Sequence, residues 1–313
     1  MKNIVFLDKE TLGNSLDYSS LIKLGNCVIY ENTSAENLYE RTKNAQIIIT
    51  NKVYLFEDQL TKLNKLELIC ITATGTDNVD LDYCKKNNIE VMNARSYSTK
   101  SVTQHTFSLL FNILHNQEYY SKYTRSGNWV KSNTFCHVEK SFYEIADKNW
   151  GIIGLGEIGK SVANISEAFG CQVSYYSTSG NNNNQIFERK SLENLLKDSD
   201  FISIHAPLND LTKNLLRIEE LRLLKNNCIV LNLGRGGIIN ERDLALFLNE
   251  NKTIRFGLDV LETEPMLAQN PLFKELDNKN LFITPHIAWA SKEARVKLLD
   301  ITCSNIKSFL SNK

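Results

Sequence analysis

Proline is scarce in this chain. It has four in 313 residues, and all of them lie beyond residue 200, as Pro207, Pro265, Pro271 and Pro285. Net charge is absent as well: 36 basic and 36 acidic side chains cancel. That balance leaves no electrostatic footprint for nucleic acid or for an anionic membrane surface. No apolar run approaches the roughly eighteen residues of a membrane span. The N-terminal run Ile4–Leu7 is broken at once by Asp8, too short for a secretory h-region and better read as a first strand. The seven cysteines are odd in number and scattered, with no CxxC and no Cys/His cluster. This pattern argues against a zinc site, so no metal is expected, and it points to reduced, mostly buried thiols in the cytoplasm.

What is present is ordinary globular material, 42% hydrophobic and 23% charged, long enough for about two domains. Short apolar runs at Ile4–Leu7, Cys27–Tyr30, Ile47–Thr50, Leu66–Thr72 and Ile89–Met92 alternate with amphipathic segments at Ala35–Thr42, Glu57–Leu63 and Leu81–Lys86. A second series runs through Trp150–Ile153, Gln172–Tyr176, Phe201–His205, Cys228–Leu233, Arg255–Leu258 and Leu281–Ile283, with helical patterns between them. Alternation of this kind predicts an α/β fold of parallel sheets with crossover helices. Long helices are predicted at Ser101–Asn116, from apolar residues at helical spacing, and at Ser291–Phe309. The polar patch Asn181–Asn184 follows a strand; a solvated loop and a functional segment are both open for it.

Residues 150–160 read WGIIGLGEIGK. Gly154, Gly156 and Gly159 form G-x-G-x-x-G directly after an apolar strand and directly before a helical pattern, which is the context of a dinucleotide-binding turn. The first glycine makes the turn, the second admits a pyrophosphate close to the backbone, and the third lets helix and strand pack. An NAD site ordinarily places Asp or Glu about 20 residues on, at the end of the next strand. Here that position is Ser177, followed by Thr178 and Ser179, and no acidic residue lies between Glu167 and Glu188. The expected cofactor is therefore NAD or NADP, with a lean toward NADP.

Three further loops follow strands: NLGRGG at 232–237, GLDVLETEP at 257–265 and TPHIAWAS at 284–291. Singly, each is a loop charge, a turn or a structural histidine. Together, and downstream of GLGEIG, they resemble the D-isomer-specific 2-hydroxyacid dehydrogenases. TATGTDNVD at 72–80 and SVTQHTFSLL at 101–110 extend the resemblance over essentially the whole chain. The strings TNKVYL, Phe135-Cys136 and HIAWAS are most similar to the glycerate dehydrogenase, or hydroxypyruvate reductase, subgroup.

The resemblance implies a hydride transfer between NAD(P)H and a small 2-keto acid, best taken as hydroxypyruvate or glyoxylate. It implies His286 as general acid, Glu264 as its carboxylate partner and Arg235 as the fork for the substrate carboxylate. It further implies cofactor contacts at Gly154, Gly156, Glu157, Ile158, Gly159, Ser177, Thr178, Ala206, Pro207, Thr212, Leu233, Gly234 and Asp259, and substrate contacts at Thr74 and Gly75. The implied architecture is two doubly wound domains with the site in the cleft. The substrate domain would be discontinuous, at 1–99 and 288–313, and the dinucleotide domain would span 100–287. A homodimer is implied, with no nucleic acid or membrane partner. A different class shares the fold, an NAD(H)-sensing corepressor with little turnover, but no basic segment or long disordered tail supports it here.

Overall fold

Twelve strands form among the residues described in the computed structural model, 1–251 and 253–312. Two compact units divide the chain, Met1–Ser98 with Trp289–Lys313, and Thr99–Ala288. The first unit is therefore discontinuous in sequence.

In the first unit the strands are β1 (Asn3–Phe6), β2 (Asn26–Ile29), β3 (Ile47–Thr50), β4 (Leu68–Ile71) and β5 (Glu90–Asn93). They pair in parallel in the order β2-β1-β3-β4-β5. Successive side chains of a strand point to opposite faces, and both faces of this sheet are packed. Ile4, Phe6, Ile47, Ile49, Leu68 and Cys70 enter one core. Val5, Leu7, Ile48, Ile69 and Ile71 enter the other. This is why the strands read as continuous apolar runs rather than as alternating ones. The helix Lys292–Ser311 supplies Leu298, Leu299, Cys303 and Ile306 to the first of these cores. Its N-terminus is fixed by Ser291, whose hydroxyl accepts from the Ala294 amide.

In the second unit the strands are β6 (Asn149–Ile153), β7 (Gln172–Tyr176), β8 (Glu188–Arg189), β9 (Phe201–Ile204), β10 (Ile229–Asn232), β11 (Arg255–Leu258) and β12 (Leu281–Ile283). They also pair in parallel, in the order β12-β11-β10-β9-β6-β7-β8. One face carries a large aliphatic core built on Ile202, Ile204, Val230, Phe256 and Leu258. On the other, Phe107 of the helix Thr99–Leu114 packs against Trp150 and Phe169.

The sequence pattern predicts eleven of the twelve strands to within two residues at each end. It misses β8, two exposed residues with no apolar signal. It also misses the helix Gln117–Arg125, which has no buried residue and hence no apolar stripe. The long helix begins two residues before the predicted start, at Thr99, and ends at Leu114. No helix among the described residues is long and apolar enough to cross a membrane.

Candidate active site

Open parallel sheets bind ligands outside the carboxyl ends of their strands, where the strand order reverses. In the second unit that reversal lies between β6 and β9, since β6 is flanked by β7 on one side and β9 on the other. The glycine turn follows β6, and Ala206-Pro207 follows β9 by one residue. Arg235 follows β10, Asp259 follows β11 and His286 follows β12. Every candidate of this unit past residue 200 except Thr212 and Glu264 thus stands at or within three residues of a carboxyl strand end.

The glycines show where the protein has left space. Gly154 adopts φ +91, and a β-carbon there would meet the Ala206 backbone at 3.0 Å. A β-carbon on Gly159 would lie 2.2 Å from the Gly154 carbonyl oxygen. Both positions are closed by protein. Gly156 is different: a β-carbon there would meet nothing within 4 Å. It is also the N-cap of the helix Glu157–Ala168 and gives its first turn no side-chain cap. An open second glycine at a helix N-terminus fits an approaching pyrophosphate. Thr99 donates to Glu157 Oε1 at 2.8 Å, and Ile158 is half-buried in the same first turn.

Further close approaches tie the neighbouring loops together. A β-carbon on Gly234 would lie 2.8 Å from the Ala206 carbonyl oxygen, and one on Gly236 would lie 1.9 Å from the Leu261 carbonyl carbon. The Arg235 loop is therefore clasped between the loop after β9 and the loop that carries Glu264. Asn232 orders it from within, accepting from the Gly234 amide at 3.1 Å and donating to the Arg235 carbonyl at 2.9 Å. The Arg235 guanidinium donates to the Gly234 carbonyl at 2.9 Å and makes no ion pair with any described residue. Leu233 and Ala206 are buried, while Pro207 is exposed. Thr212 faces inward: it is fully buried, donates to the Pro207 carbonyl at 2.6 Å and accepts from the Asn209 amide at 2.8 Å.

Glu264 and His286 meet directly, with His286 Nδ1 2.5 Å from Glu264 Oε2. The other carboxylate oxygen, Oε1, accepts from the Leu261 amide at 3.0 Å. His286 adopts φ +52, an uncommon left-handed conformation for a non-glycine residue. Asp259 holds it there. Its buried carboxylate accepts from the amides of Ile287 and Ala288, both at 2.9 Å, and from the Thr284 hydroxyl at 2.6 Å. His105 Nε2 adds a contact to Thr284 Oγ1 at 3.2 Å and lies 3.7 Å from Asp259.

Glu241, which the motifs do not reveal, supports the same region. Its carboxylate accepts from the Glu262 amide at 2.5 Å and from Asn270 at 2.7 Å. Burial pushes its pKa above the usual carboxylate range, and the charges of Glu262 and Glu264 add to that. Only the Asn240-Glu241 pair at a helix N-cap announces it in sequence, and a cap would explain that pair without any site.

Ser177 and Thr178 follow β7. Ser177 is buried and its hydroxyl accepts from the Asn182 amide at 3.2 Å; Thr178 is half-buried. In the first unit, Thr74 is exposed, donates to the Ala94 carbonyl at 3.0 Å, and precedes the half-buried Gly75. There too the strand order reverses, between β1 and β3. Asp8, just past β1, accepts from the amides of Asn51 and Lys52 at 2.9 and 2.6 Å, shaping the loop that leads to Tyr54. Tyr54 is exposed and stacked on Phe56, not a core aromatic.

Comparison with known proteins agrees with this geometry. Residues 107–288 match the family model of the D-isomer specific 2-hydroxyacid dehydrogenase NAD binding domain. The chain is 36% identical to a hydroxypyruvate reductase of Blautia hydrogenotrophica, covering 98% of this chain and 96% of that protein. It is also 36% identical to a glycerate dehydrogenase of Methylorubrum extorquens, covering 100% and 97%. Among solved structures, D-lactate dehydrogenase from Aquifex aeolicus, complexed with NAD and lactic acid, superposes with a TM-score of 0.85. The identity is 27%, over 99% of this chain and 96% of that one. The strand order, the loops at the strand ends and these relatives lead to one conclusion: the chain belongs to the D-isomer-specific 2-hydroxyacid dehydrogenase family.

Proposed function

We propose that this protein reduces a small 2-keto acid to the D-2-hydroxy acid with NADH or NADPH, and that its substrate is hydroxypyruvate or glyoxylate. The observation that carries the reading is the 2.5 Å contact between His286 and Glu264, at the strand end beside the Arg235 loop. The names of the relatives, hydroxypyruvate reductase and glycerate dehydrogenase, support the choice of substrate.

The dinucleotide would be held by the Gly154–Gly159 turn and the amides that open the following helix, with Ala206, Pro207, Leu233 and Gly234 as further contacts. Ser177 and Thr178 would meet its adenosine half, and Asp259 its nicotinamide half. When bound, the reduced cofactor would supply the hydride for the ketone carbon. The chain's own residues do the rest. Arg235 offers a planar cationic fork with no ion pair to any described residue, suited to the substrate carboxylate and to charge developing on the carbonyl oxygen. In the first unit, Thr74 and Gly75 are the candidates for substrate contact, through their backbone amides. His286 donates a proton to the carbonyl oxygen from Nε2, because Nδ1 is engaged by Glu264. The Glu264 carboxylate, itself held by the Leu261 amide, fixes the orientation of the ring. In the reverse direction the same nitrogen takes the hydroxyl proton.

Cofactor choice leans to NADP. Support comes from the absence of a carboxylate at Ser177 and from Arg189, whose guanidinium reaches Asn183 Oδ1 at 3.1 Å. Exposed apolar side chains at Trp129, Val130, Phe135 and Val138, beyond the long helix, support a homodimer formed through that segment. Seven free cysteines suit the cytoplasm.

Steady-state oxidation of NADH and NADPH, measured with hydroxypyruvate, glyoxylate and pyruvate, tests the reading. Turnover with hydroxypyruvate or glyoxylate supports it. No oxidation of either cofactor with any of the three contradicts it.

A further inference from the structure

The asparagine run after β7 exposes Asn181 and Asn183 but is pinned at Asn182. Asn182 is anchored through its amide, its side chain and its carbonyl. Its amide donates to Ser177 Oγ at 3.2 Å, its side-chain Nδ2 donates to the Leu155 carbonyl at 2.7 Å, and its carbonyl accepts from the Tyr175 hydroxyl at 3.0 Å. Leu155 is the residue between the first two glycines of the turn, and Ser177 is the residue at the end of β7. Asn182 therefore bridges the two elements that flank the adenosine half of a bound dinucleotide. Neighbouring residues brace it. The Asn184 amide donates to the Tyr175 hydroxyl at 3.0 Å, and Asn184 Oδ1 accepts from the Ile186 and Phe187 amides.

The chemistry at this corner follows from the donor and acceptor inventory. Ser177, at the position usually taken by a carboxylate, is only 5% exposed, and its oxygen already accepts from the Asn182 amide. It is poorly placed to receive a ribose hydroxyl. A carboxamide has two N–H donors and one carbonyl acceptor. Donation to the Leu155 carbonyl fixes which end of the Asn182 amide is nitrogen. The remaining oxygen, Oδ1, has no partner among the described residues, and the side chain is half-buried rather than sealed.

Resting on the reading of the glycine turn as a dinucleotide site, we propose that Asn182 Oδ1 accepts the adenosine ribose hydroxyl in place of the missing carboxylate. Asn182 is thereby the residue that sets the balance between NADH and NADPH. A neutral acceptor holds the 2′-hydroxyl of NADH as a carboxylate does. Unlike a carboxylate, it does not repel the 2′-phosphate of NADPH. Arg189, held against the same loop by Asn183, supplies the positive charge that such a phosphate needs. Lys190 does not, since it is engaged by Asp198 and Glu188.

Isothermal titration calorimetry of the wild type, N182A and N182D with NADH and with NADPH tests this without reference to turnover, and thermal unfolding confirms that the variants fold. N182A is expected to weaken NADH about 3- to 10-fold, the loss of one ordinary hydrogen bond. N182D places a negative charge at the corner and is expected to raise the ratio of NADPH to NADH dissociation constants about tenfold. That second measurement stands by itself if N182A does not fold. Values for N182A within about twofold of wild type for both cofactors, or an unchanged ratio in N182D, overturn the role of Asn182 and leave the dinucleotide reading intact. A wild type that binds neither nucleotide overturns that reading, and this inference with it.

Discussion

His286 Nδ1 and Glu264 Oε2 stand 2.5 Å apart, and Glu264 Oε1 is itself fixed by the Leu261 amide at 3.0 Å. The carboxylate is thus oriented before it orients the imidazole. A pair arranged in this way sets Nδ1 against Glu264 and leaves Nε2 as the ring nitrogen turned away from it.

Replacing Glu264 with Gln keeps the shape of the pair and removes the charge. An ionised hydrogen bond contributes about 1.5–3 kcal/mol, so kcat is expected to fall on the order of 10- to 100-fold. Cofactor affinity should be nearly unchanged. Steady-state kinetics together with cofactor titration checks both; an unaltered kcat would remove Glu264 from the proton transfer.

The glycines give a paired prediction. Gly156→Ala places a methyl group in open space, at a backbone conformation that alanine accepts. Stability should stay within about 0.5 kcal/mol of wild type, while cofactor binding weakens at least tenfold. Gly236→Ala drives a methyl group into the Leu261–Glu262 backbone. It should cost about 1–3 kcal/mol or more in stability. Urea denaturation and cofactor titration on the two variants separate space reserved for a ligand from space filled by protein.

Asp259 joins the two links of fold and chemistry. Its carboxylate receives three donors, two of them the amides that follow His286. In Asp259→Asn, whichever way the amide is turned, an N–H group faces a donor. The variant should lose about 1–3 kcal/mol of stability and most of its turnover, because the His286 loop is no longer held. Denaturation and kcat measured on the same preparation check this.

The first unit and the strand pattern of the second were legible because buried aliphatic runs such as Ile47–Thr50 and Ile229–Asn232 carry an unmistakable composition. The loops at their carboxyl ends were legible because glycine, arginine and histidine stand out at fixed places after those runs. What escaped has no periodicity to show. Strand β8 is two exposed charged residues. Asn182 and Thr284 act through hydrogen bonds to groups distant in sequence, and Glu241 resembles an ordinary first-turn acid. Asn181–Asn184 read equally as a solvated loop because a polar run is ambiguous until its backbone partners are known.

His205 offers a test of pH dependence. It lies between β9 and Ala206, and both ring nitrogens are sealed from solvent with no partner among the described residues. Burial lowers its pKa from 6.5 to about 3. The unfolded chain therefore takes up a proton near pH 6.5 that the folded chain refuses. The stability His205 confers is present above that pH and is lost as pH falls toward 3, at up to about 1.4 kcal/mol per pH unit. Urea denaturation between pH 7 and pH 4 should show a shallower decline for His205→Leu than for wild type. Parallel curves would mean that the ring becomes protonated within the fold.

The central claim is that His286 gives the proton while the glycine turn holds the cofactor, and the two should come apart in His286→Ala. Hydroxypyruvate and glyoxylate reduction by that variant, measured beside calorimetric binding of NADH and NADPH, tests it most directly. The account predicts kcat lower by about 10²–10⁴-fold with cofactor dissociation constants within about twofold of wild type. Wild-type turnover in His286→Ala would contradict it.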